Sequence, residues 1–404
     1  MTNNYTSPGC ERPGSLVHES ERSVSTQHES GHPKNANRVS VVCGMSGGVD
    51  SSLTAMLLRD GGYAVTGGSL IMHGSGETDA ARAAAESLGI PFAALDCRAE
   101  FEERVSSYMV RGYSAGRTPS PCVVCNRMLK LEMLCRLADS LGIGKIATGH
   151  YAGVGFEDGR YFVRRSPDPK KDQSYFLCMT TQAQLSRLVL PLADYTKAEV
   201  RALAFDAGLK AAEKRDSQEL CFIPDGDYAG YIEERCGAFP DGEFSAPDGK
   251  VAGRYKGIIH YTVGQRKGLG IALGRPVFVS RIDAAENRVY LSDAGGEFSD
   301  TAHLKNLNFQ LLAPPTENTT VRAFVKHRAA ALPAACSVDI IYNKKEENSG
   351  FSDVRSSCGI GEYDTDGCFS AVVHFDSPAR AVAPGQFCAA YDADGRVLFG
   401  GEIC

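Results

Sequence analysis

Residues 38–52, Arg-Val-Ser-Val-Val-Cys-Gly-Met-Ser-Gly-Gly-Val-Asp-Ser-Ser, constrain the fold more than any other part of the chain. The first seven are β-branched and short and run into a Gly/Ser-rich turn, after which Leu53, Met56 and Leu57 recur at helical spacing. Such a pattern reads as strand, loop and helix. Glycines let backbone N–H groups approach an anion, the next helix presents its positive N-terminus, and Ser46, Ser51 and Ser52 add hydroxyl donors. A pyrophosphate group suits this loop, so Gly44, Met45, Ser46, Gly47, Gly48, Val49, Asp50 and Ser51 are candidate nucleotide contacts. Asp50 would repel phosphate directly, which leaves it to hold Mg2+ or to cap the loop. A Walker loop needs Gly-Lys-Ser/Thr, which this string lacks. The plain alternative is a Gly-rich turn with an N-cap.

The alternation continues beyond the loop. Residues 63–72 read as a strand, 79–88 as an Ala-rich helix, 90–95 as a strand, 127–141 as a helix and 143–148 as a short strand. This order predicts an α/β fold with a doubly wound parallel sheet and ligands gathered at the carboxyl ends of its strands. After about residue 236 the texture changes to short Gly-punctuated runs, such as 276–282, 288–291, 321–325 and 370–375, which read as antiparallel strands. The expected division is a polar extension without a core at 1–37, a catalytic domain at 38–235, a small central domain at 236–300 and a C-terminal β-barrel at 301–404. Residues 343–368, polar and Ser/Gly-rich, read as an insertion in the barrel.

A formal charge of −6 over 404 residues excludes a protein that coats nucleic acid non-specifically. Within residues 111–171, however, eleven Lys/Arg face five Asp/Glu, a local surplus of +6 that marks either a polyanion site or a solvated basic face. The fourteen cysteines are scattered, and no apolar run at the N-terminus resembles a signal peptide. Free thiols in a reducing cytoplasm are expected, with Cys43, Cys97, Cys178 and Cys388 as core filler. No run approaches the ~18 apolar residues of a membrane helix, so no membrane partner is expected.

The loop string resembles the signature of the PP-loop ATP pyrophosphatases, which split ATP into AMP and pyrophosphate to adenylate an oxygen on a second substrate. Further strings narrow the resemblance: residues 116–126 (Gly-Arg-Thr-Pro-Ser-Pro-Cys-Val-Val-Cys-Asn), 147–151 (Ala-Thr-Gly-His-Tyr), 171–177 (Lys-Asp-Gln-Ser-Tyr-Phe-Leu), Asp216-Ser217 with Cys221-Phe222-Ile223, residues 261–271 (Tyr-Thr-Val-Gly-Gln-Arg-Lys-Gly-Leu-Gly-Ile) and Pro384-Gly385-Gln386. Together they make the chain similar, from residue 38 onward, to the tRNA-specific 2-thiouridylase family. That resemblance implies adenylation of the C2 oxygen of a wobble uridine and its replacement by sulfur from a cysteine persulfide. It also implies ATP and Mg2+ as cofactors, the tRNA anticodon arm as partner, and a cysteine desulfurase or sulfur-relay protein as donor.

Two cysteine roles have independent support. Cys125 lies in a Pro-rich loop followed by Asn126, Arg127 and Lys130, where a helix N-terminus and cations would lower its pKa, so it is the candidate nucleophile. Cys221 follows a polar segment and matches the family's persulfide carrier. Many members carry Asp where this chain has Ser120-Pro121-Cys122, so Cys122 is a third catalytic candidate, standing in as a thiolate. The C-x-x-C pair also fits a redox disulfide, half a zinc site or, with Cys221, an iron–sulfur cluster on Cys122, Cys125 and Cys221. By resemblance, ATP also meets Met72 and Gly149, although Met72 as simple core reads almost as well. The resemblance assigns tRNA contacts to Ser120, Pro121, His150, Lys171, Asp172, Gln173, His327, Arg328 and Gln386; His327-Arg328 replaces the family's usual Arg-Tyr. The rival readings are a PP-loop synthetase acting on a small molecule and a non-catalytic RNA-binding or iron–sulfur protein that keeps the loop as scaffold.

Overall fold

Strand β1 (Ser40–Gly44) is buried at three successive positions, Val41, Val42 and Cys43, which is why it shows no polar–apolar alternation. Val41 and Cys43 join the core on one face of the sheet, and Val42 joins the core on the other. The computed structural model describes residues 38–74, 78–209, 220–343 and 369–404. The segments read from sequence as an N-terminal extension and, apart from Asn343, as a barrel insertion lie outside the described residues, as does Asp216-Ser217.

Around β1 lie β2 (Ala64–Ile71), β3 (Phe92–Asp96) and β4 (Lys145–Ala147). A hairpin that the sequence reading missed, β5 (Ala152–Glu157) and β6 (Arg160–Arg165), precedes the last sheet strand, β7 (Leu188–Val189). The five-stranded sheet is parallel throughout with order β3-β2-β1-β4-β7. The chain winds outward from β1 through β2 to β3 and then returns to start β4 on the other side of β1. This reversal opens a crevice at the carboxyl ends of β1 and β4, where doubly wound sheets bind ligands. The helix expected over 127–141 is present in two pieces, a π-helical turn Asn126–Leu131 and the α-helix Glu132–Ser140. Such wide turns inside helices frequently mark functional sites.

The central domain is a four-stranded sheet of β8 (Asp241–Ser245), β9 (Val251–Lys256), β10 (Val277–Asp283) and β11 (Arg288–Asp293), in the order β10-β11-β8-β9. Its core is an edge-to-face triad of Phe244, Tyr255 and Tyr261, with ring centroids 5.1 Å apart. Met109 and Val110 of the helix Ser107–Ser114 insert into that core and tie it to the parallel-sheet domain.

Six strands close the C-terminal barrel: β12 (Phe298–Phe309), β13 (Thr319–Lys326), β14 (Ala334–Tyr342), β15 (Phe369–Arg380), β16 (Phe387–Tyr391) and β17 (Val397–Ile403). They run in the order β12-β15-β14-β13-β16-β17. All five residues of β16 are buried because the strand serves two cores. Cys388 and Ala390 face the barrel interior, while Phe387, Ala389 and Tyr391 pack into the core of the parallel-sheet domain. The barrel is therefore seated on the parallel-sheet domain by an apolar face.

Candidate active site

The loop after β1 is prepared for an anion. Gly47 has φ +70°, and a Cβ there would lie 2.5 Å from the Ala80 side chain, so only glycine fits. The helix Val49–Asp60 starts at Gly48 without a side-chain cap, so its first amides point out of the loop, as in other phosphate-binding turns. Ser51 braces the turn: its hydroxyl donates to Gly48 O (3.1 Å) and accepts from the Ser46 N–H (3.2 Å). Met45 is buried, and its N–H donates to Gly68 O on β2 at 2.7 Å. Gly44 and Val49 pack inward, so their possible contribution to a nucleotide is backbone alone.

Asp50 is already engaged. Lys197 Nζ donates to both of its carboxylate oxygens, at 2.7 and 2.8 Å, and the Tyr151 hydroxyl donates to Oδ1 at 2.6 Å. Lys197 opens the helix Lys197–Asp206, which a Thr196/Glu199 capping box anchors, and it is nearly buried. Gly149, from the turn after β4, lies against the same spot. A Cβ there would stand 3.1 Å from the Asp50 backbone, which ties the 147–151 turn to the start of the phosphate-binding helix. Tyr151 was part of a recognised string, but neither it nor Lys197 was picked out as a site residue. Lys197 has no local signal except the capping box, because its partner lies 147 residues away.

The three cysteines face one lysine. Cys125 ends the helix Pro121–Cys125 and is buried with Phe101, Leu129 and Met133. Burial pushes its thiol up to about 12, and Lys130 in the following π-turn opposes that rise without overcoming it. The sequence expectation of a lowered pKa thus fails, since Cys125 sits at a helix end away from the N-terminal amides and out of water. Cys122, half-buried, is also raised, by burial first, against Lys130. It stays a thiol at neutral pH, which does not suit the stand-in thiolate role. Cys221 is exposed and behaves oppositely. Burial by its surroundings would raise it, but a hydrogen bond from His73 together with the Lys130 charge brings it below the ordinary thiol value. Lys130 in turn is held up by Cys125, Cys221 and Cys122 against its own desolvation. Phe222 locks the segment carrying Cys221 by edge-on contact with Phe101 (5.0 Å). Met72 packs its half-buried side chain against the same cluster, alongside Cys125.

The residues assigned to RNA divide into two groups. His150 feels the charge of the same lysine, Lys130. Its Nδ1 is 2.8 Å from Thr148 Oγ1, and burial followed by the Lys130 charge lowers its pKa to about 3, so it is neutral. Lys171 and Arg328 are half-buried. The others are packed into the framework. Ser120 and Pro121 are buried at the start of the cysteine helix. Asp172 is buried and accepts from the Ser166 and Ser174 N–H groups and from Arg165 Nε, with Lys326 Nζ 3.9 Å away. Gln173 braces the 147–151 turn, accepting the Tyr151 N–H at 2.9 Å. His327 is buried in the barrel with Nε2 3.0 Å from Arg380 O, and burial lowers its pKa. Gln386 donates to the carbonyl of Thr118 (3.0 Å), within the cysteine loop. Among the described residues no group of three or more His, Cys, Asp or Glu side chains is arranged to hold a metal ion, so the three-cysteine cluster gains no support.

Residues 39–225 match the family described as tRNA methyl transferase HUP domain, 230–293 its PRC-barrel domain, and 364–403 the aminomethyltransferase beta-barrel domain. The chain is 38% identical over 378 residues to the tRNA-specific 2-thiouridylase MnmA of Clostridium acetobutylicum, covering 90% of this chain and 98% of that one. It is 42% identical over 391 residues to the protein of the same name from Sorangium cellulosum, covering 92% and 93%. The chain belongs to the tRNA-specific 2-thiouridylase family.

In this member of the thiouridylase family the central sheet and the closed barrel are both packed against the parallel-sheet domain. The helix Ser107–Ser114 makes the first of these contacts through Met109 and Val110. Strand β16 makes the second through Phe387, Ala389 and Tyr391. No helix among the described residues is long and apolar enough to cross a membrane.

Proposed function

We propose that this protein is an ATP-dependent tRNA 2-thiouridylase that binds ATP on the loop after β1 and replaces the C2 oxygen of a wobble uridine with sulfur. The observation that carries this reading is the meeting of two chemistries in one crevice. The turn after β4 abuts Asp50 through Gly149, and through His150 it reaches Lys130, which faces Cys122, Cys125 and Cys221. A loop for pyrophosphate release and a set of thiols for sulfur transfer are therefore neighbours.

In this mechanism the uridine leaves its stack and enters the crevice. Its C2 oxygen attacks the α-phosphorus of ATP, and pyrophosphate departs over the open amides of the helix Val49–Asp60. Mg2+ would be held mainly by the nucleotide's own oxygens, with Asp50 and the Ser46 and Ser51 hydroxyls as the hard donors nearby, and it would supply charge neutralisation. Cys221, the thiol with the lowered pKa, takes a sulfane sulfur from a cysteine desulfurase or sulfur-relay protein and holds it as a persulfide. The terminal sulfur attacks C2, and AMP leaves with the former oxygen. Cys125 then gives up its proton and attacks the inner sulfur, breaking the S–S bond. This step releases 2-thiouridine and leaves a Cys125–Cys221 disulfide, which an external dithiol must reduce before the next turnover.

RNA would be held by phosphate contacts at Lys171 and Arg328, within and beside the basic stretch 111–171, with the barrel gripping the anticodon arm. The test is reconstitution with ATP, Mg2+, anticodon-arm RNA and a persulfide donor. Mass spectrometry of the digested nucleosides should show 2-thiouridine and pyrophosphate formed together. ATP-independent product, or none, would overturn the reading.

A further inference from the structure

Two of the recognised strings, 116–126 and 384–386, are far apart in sequence and mate in space. Thr118 N–H donates to Pro384 O at 2.8 Å, which joins the cysteine loop to the barrel backbone. Gly385, at φ +92°, leaves no room for a Cβ, which would lie 3.1 Å from Arg117 Cβ and 3.2 Å from the Thr118 backbone. Gln386 donates its amide to Thr118 O at 3.0 Å and approaches Pro119 O at 3.5 Å. Its own carbonyl oxygen lies 3.3 Å from the Tyr175 hydroxyl, which shares its one proton between this oxygen and Phe387 O at 3.2 Å. The Tyr108 hydroxyl donates to Gly385 O at 3.3 Å. On the barrel side the Gln386 N–H donates to Ala383 O at 3.2 Å, and its backbone carbonyl accepts from the Ile403 N–H at 2.8 Å. On the other side of the loop, a Cβ at Gly116 would meet Ile282 of β10 at 2.9 Å, and one at Gly112 would meet the Pro119 ring at 2.8 Å. Catalytic domain, central sheet and barrel therefore all grip residues 116–120, the segment that leads directly into Cys122 and Cys125.

We propose that the Pro384-Gly385-Gln386 turn is a socket for the cysteine loop and that Gln386 is a positioning residue for Cys122 and Cys125. The role assigned by resemblance, an RNA contact, does not use the two carbonyls that Gln386 satisfies. The donor end of this half-buried amide is turned to the loop carbonyls and its oxygen to a buried tyrosine, so its orientation is set by the loop and the barrel. The arrangement also links the two halves of the enzyme mechanically. A shift of the barrel on its RNA moves the socket and with it the thiols, since packed interfaces transmit displacement. The inference rests on the reading of Cys125 as nucleophile only for its effect on turnover.

The decisive variant is Gln386→Glu, which keeps shape and the tyrosine partner but turns a donor toward Thr118 O and Pro119 O into an acceptor. Iodoacetamide labelling resolved by peptide mass spectrometry reads the loop without any substrate. Cys122 and Cys125 should label about tenfold faster than in the parent, the size expected when a hydrogen bond to a buried carbonyl is lost, while Cys221 keeps its rate. In the thiolation assay kcat should fall by about tenfold or more, with Kd for RNA within about twofold. Gln386→Asn, too short to reach Thr118, should behave the same way, and circular dichroism identical to the parent guards against global unfolding. Unchanged labelling with weakened RNA binding would overturn the proposal and return Gln386 to RNA contact. Faster labelling in a protein that makes no 2-thiouridine at all would leave the socket standing and overturn the functional reading instead.

Discussion

The two ends of the crevice are built on opposite principles. At the phosphate loop the side chains of Ser46, Ser51 and Asp50 have named partners at hydrogen-bond distance, Ser46 with Ser51, Ser51 with Gly48, and Asp50 with Lys197 and Tyr151, and the first helix amides are left for the ligand. At the thiol end the groups are controlled by how deeply each is buried around a single cation, Lys130. The first end is prepared for a highly charged ligand by fixed dipoles, which need little rearrangement when the ligand arrives. The second sorts chemically identical side chains into different protonation states, with Cys125 pushed up to about 12 and Cys221 brought below its ordinary value. A persulfide carrier must meet a protein donor at the surface, whereas a thiol that acts last is protected by staying protonated and dry.

The contrast breaks first at the sulfur end. Cys125→Ser and Cys221→Ser should each reduce 2-thiouridine formation by more than about a thousandfold, because a hydroxyl cannot replace a sulfur nucleophile or carrier. Pyrophosphate release should survive at least in part in both variants, and loss of both signals together would show that the two ends are not separable. Lys197→Met should lower pyrophosphate release about a hundredfold, comparable to losing one fixed electrostatic contact. The same variant leaves Asp50 partly desolvated without its cation, so stability in urea should fall by about 1–3 kcal/mol.

Labelling with iodoacetamide at pH 7.5 should modify Cys221 at least about a hundredfold faster than Cys125, given their opposite shifts and exposures. Equal rates would remove the distinction on which the assignment of carrier and nucleophile depends. His150 sharpens the comparison through pH. Its folded pKa, about 3, lies below the unfolded value near 6.5, so its stabilising contribution is present above pH ~6.5 and is lost as pH falls through about 3. His150→Gln should flatten that part of the acid-unfolding profile measured by circular dichroism. Smallest is Lys171→Ala, which should reduce the slope of log Kd against log salt by about 0.7–0.9 without abolishing binding.

Much of this arrangement could be read in the residues themselves. The β-branched run before Gly44 and the helical spacing of Leu53, Met56 and Leu57 are local signals, and the parallel sheet and phosphate loop follow from them. The helix expected over 127–141 was also legible, but its π-turn was not, since a change in turn width leaves the apolar periodicity almost intact. The hairpin Ala152–Glu157 with Arg160–Arg165 escaped because it forms a separate two-stranded sheet rather than continuing the alternation.

Sequence by itself determined the strand-loop-helix, the identity of the three cysteines and the strings that mark the family. Those features depend on residue type and short spacing, which the chain carries wherever it folds. Only tertiary structure decided what each polar group does. Lys197 reaches Asp50 across 147 residues, Gln386 reaches Thr118 across 268, and Asp172 is enclosed instead of facing RNA. The same is true of the thiols. Their pKa order depends on burial and on the direction of one lysine, and these are properties of the folded surroundings that no spacing in the chain encodes.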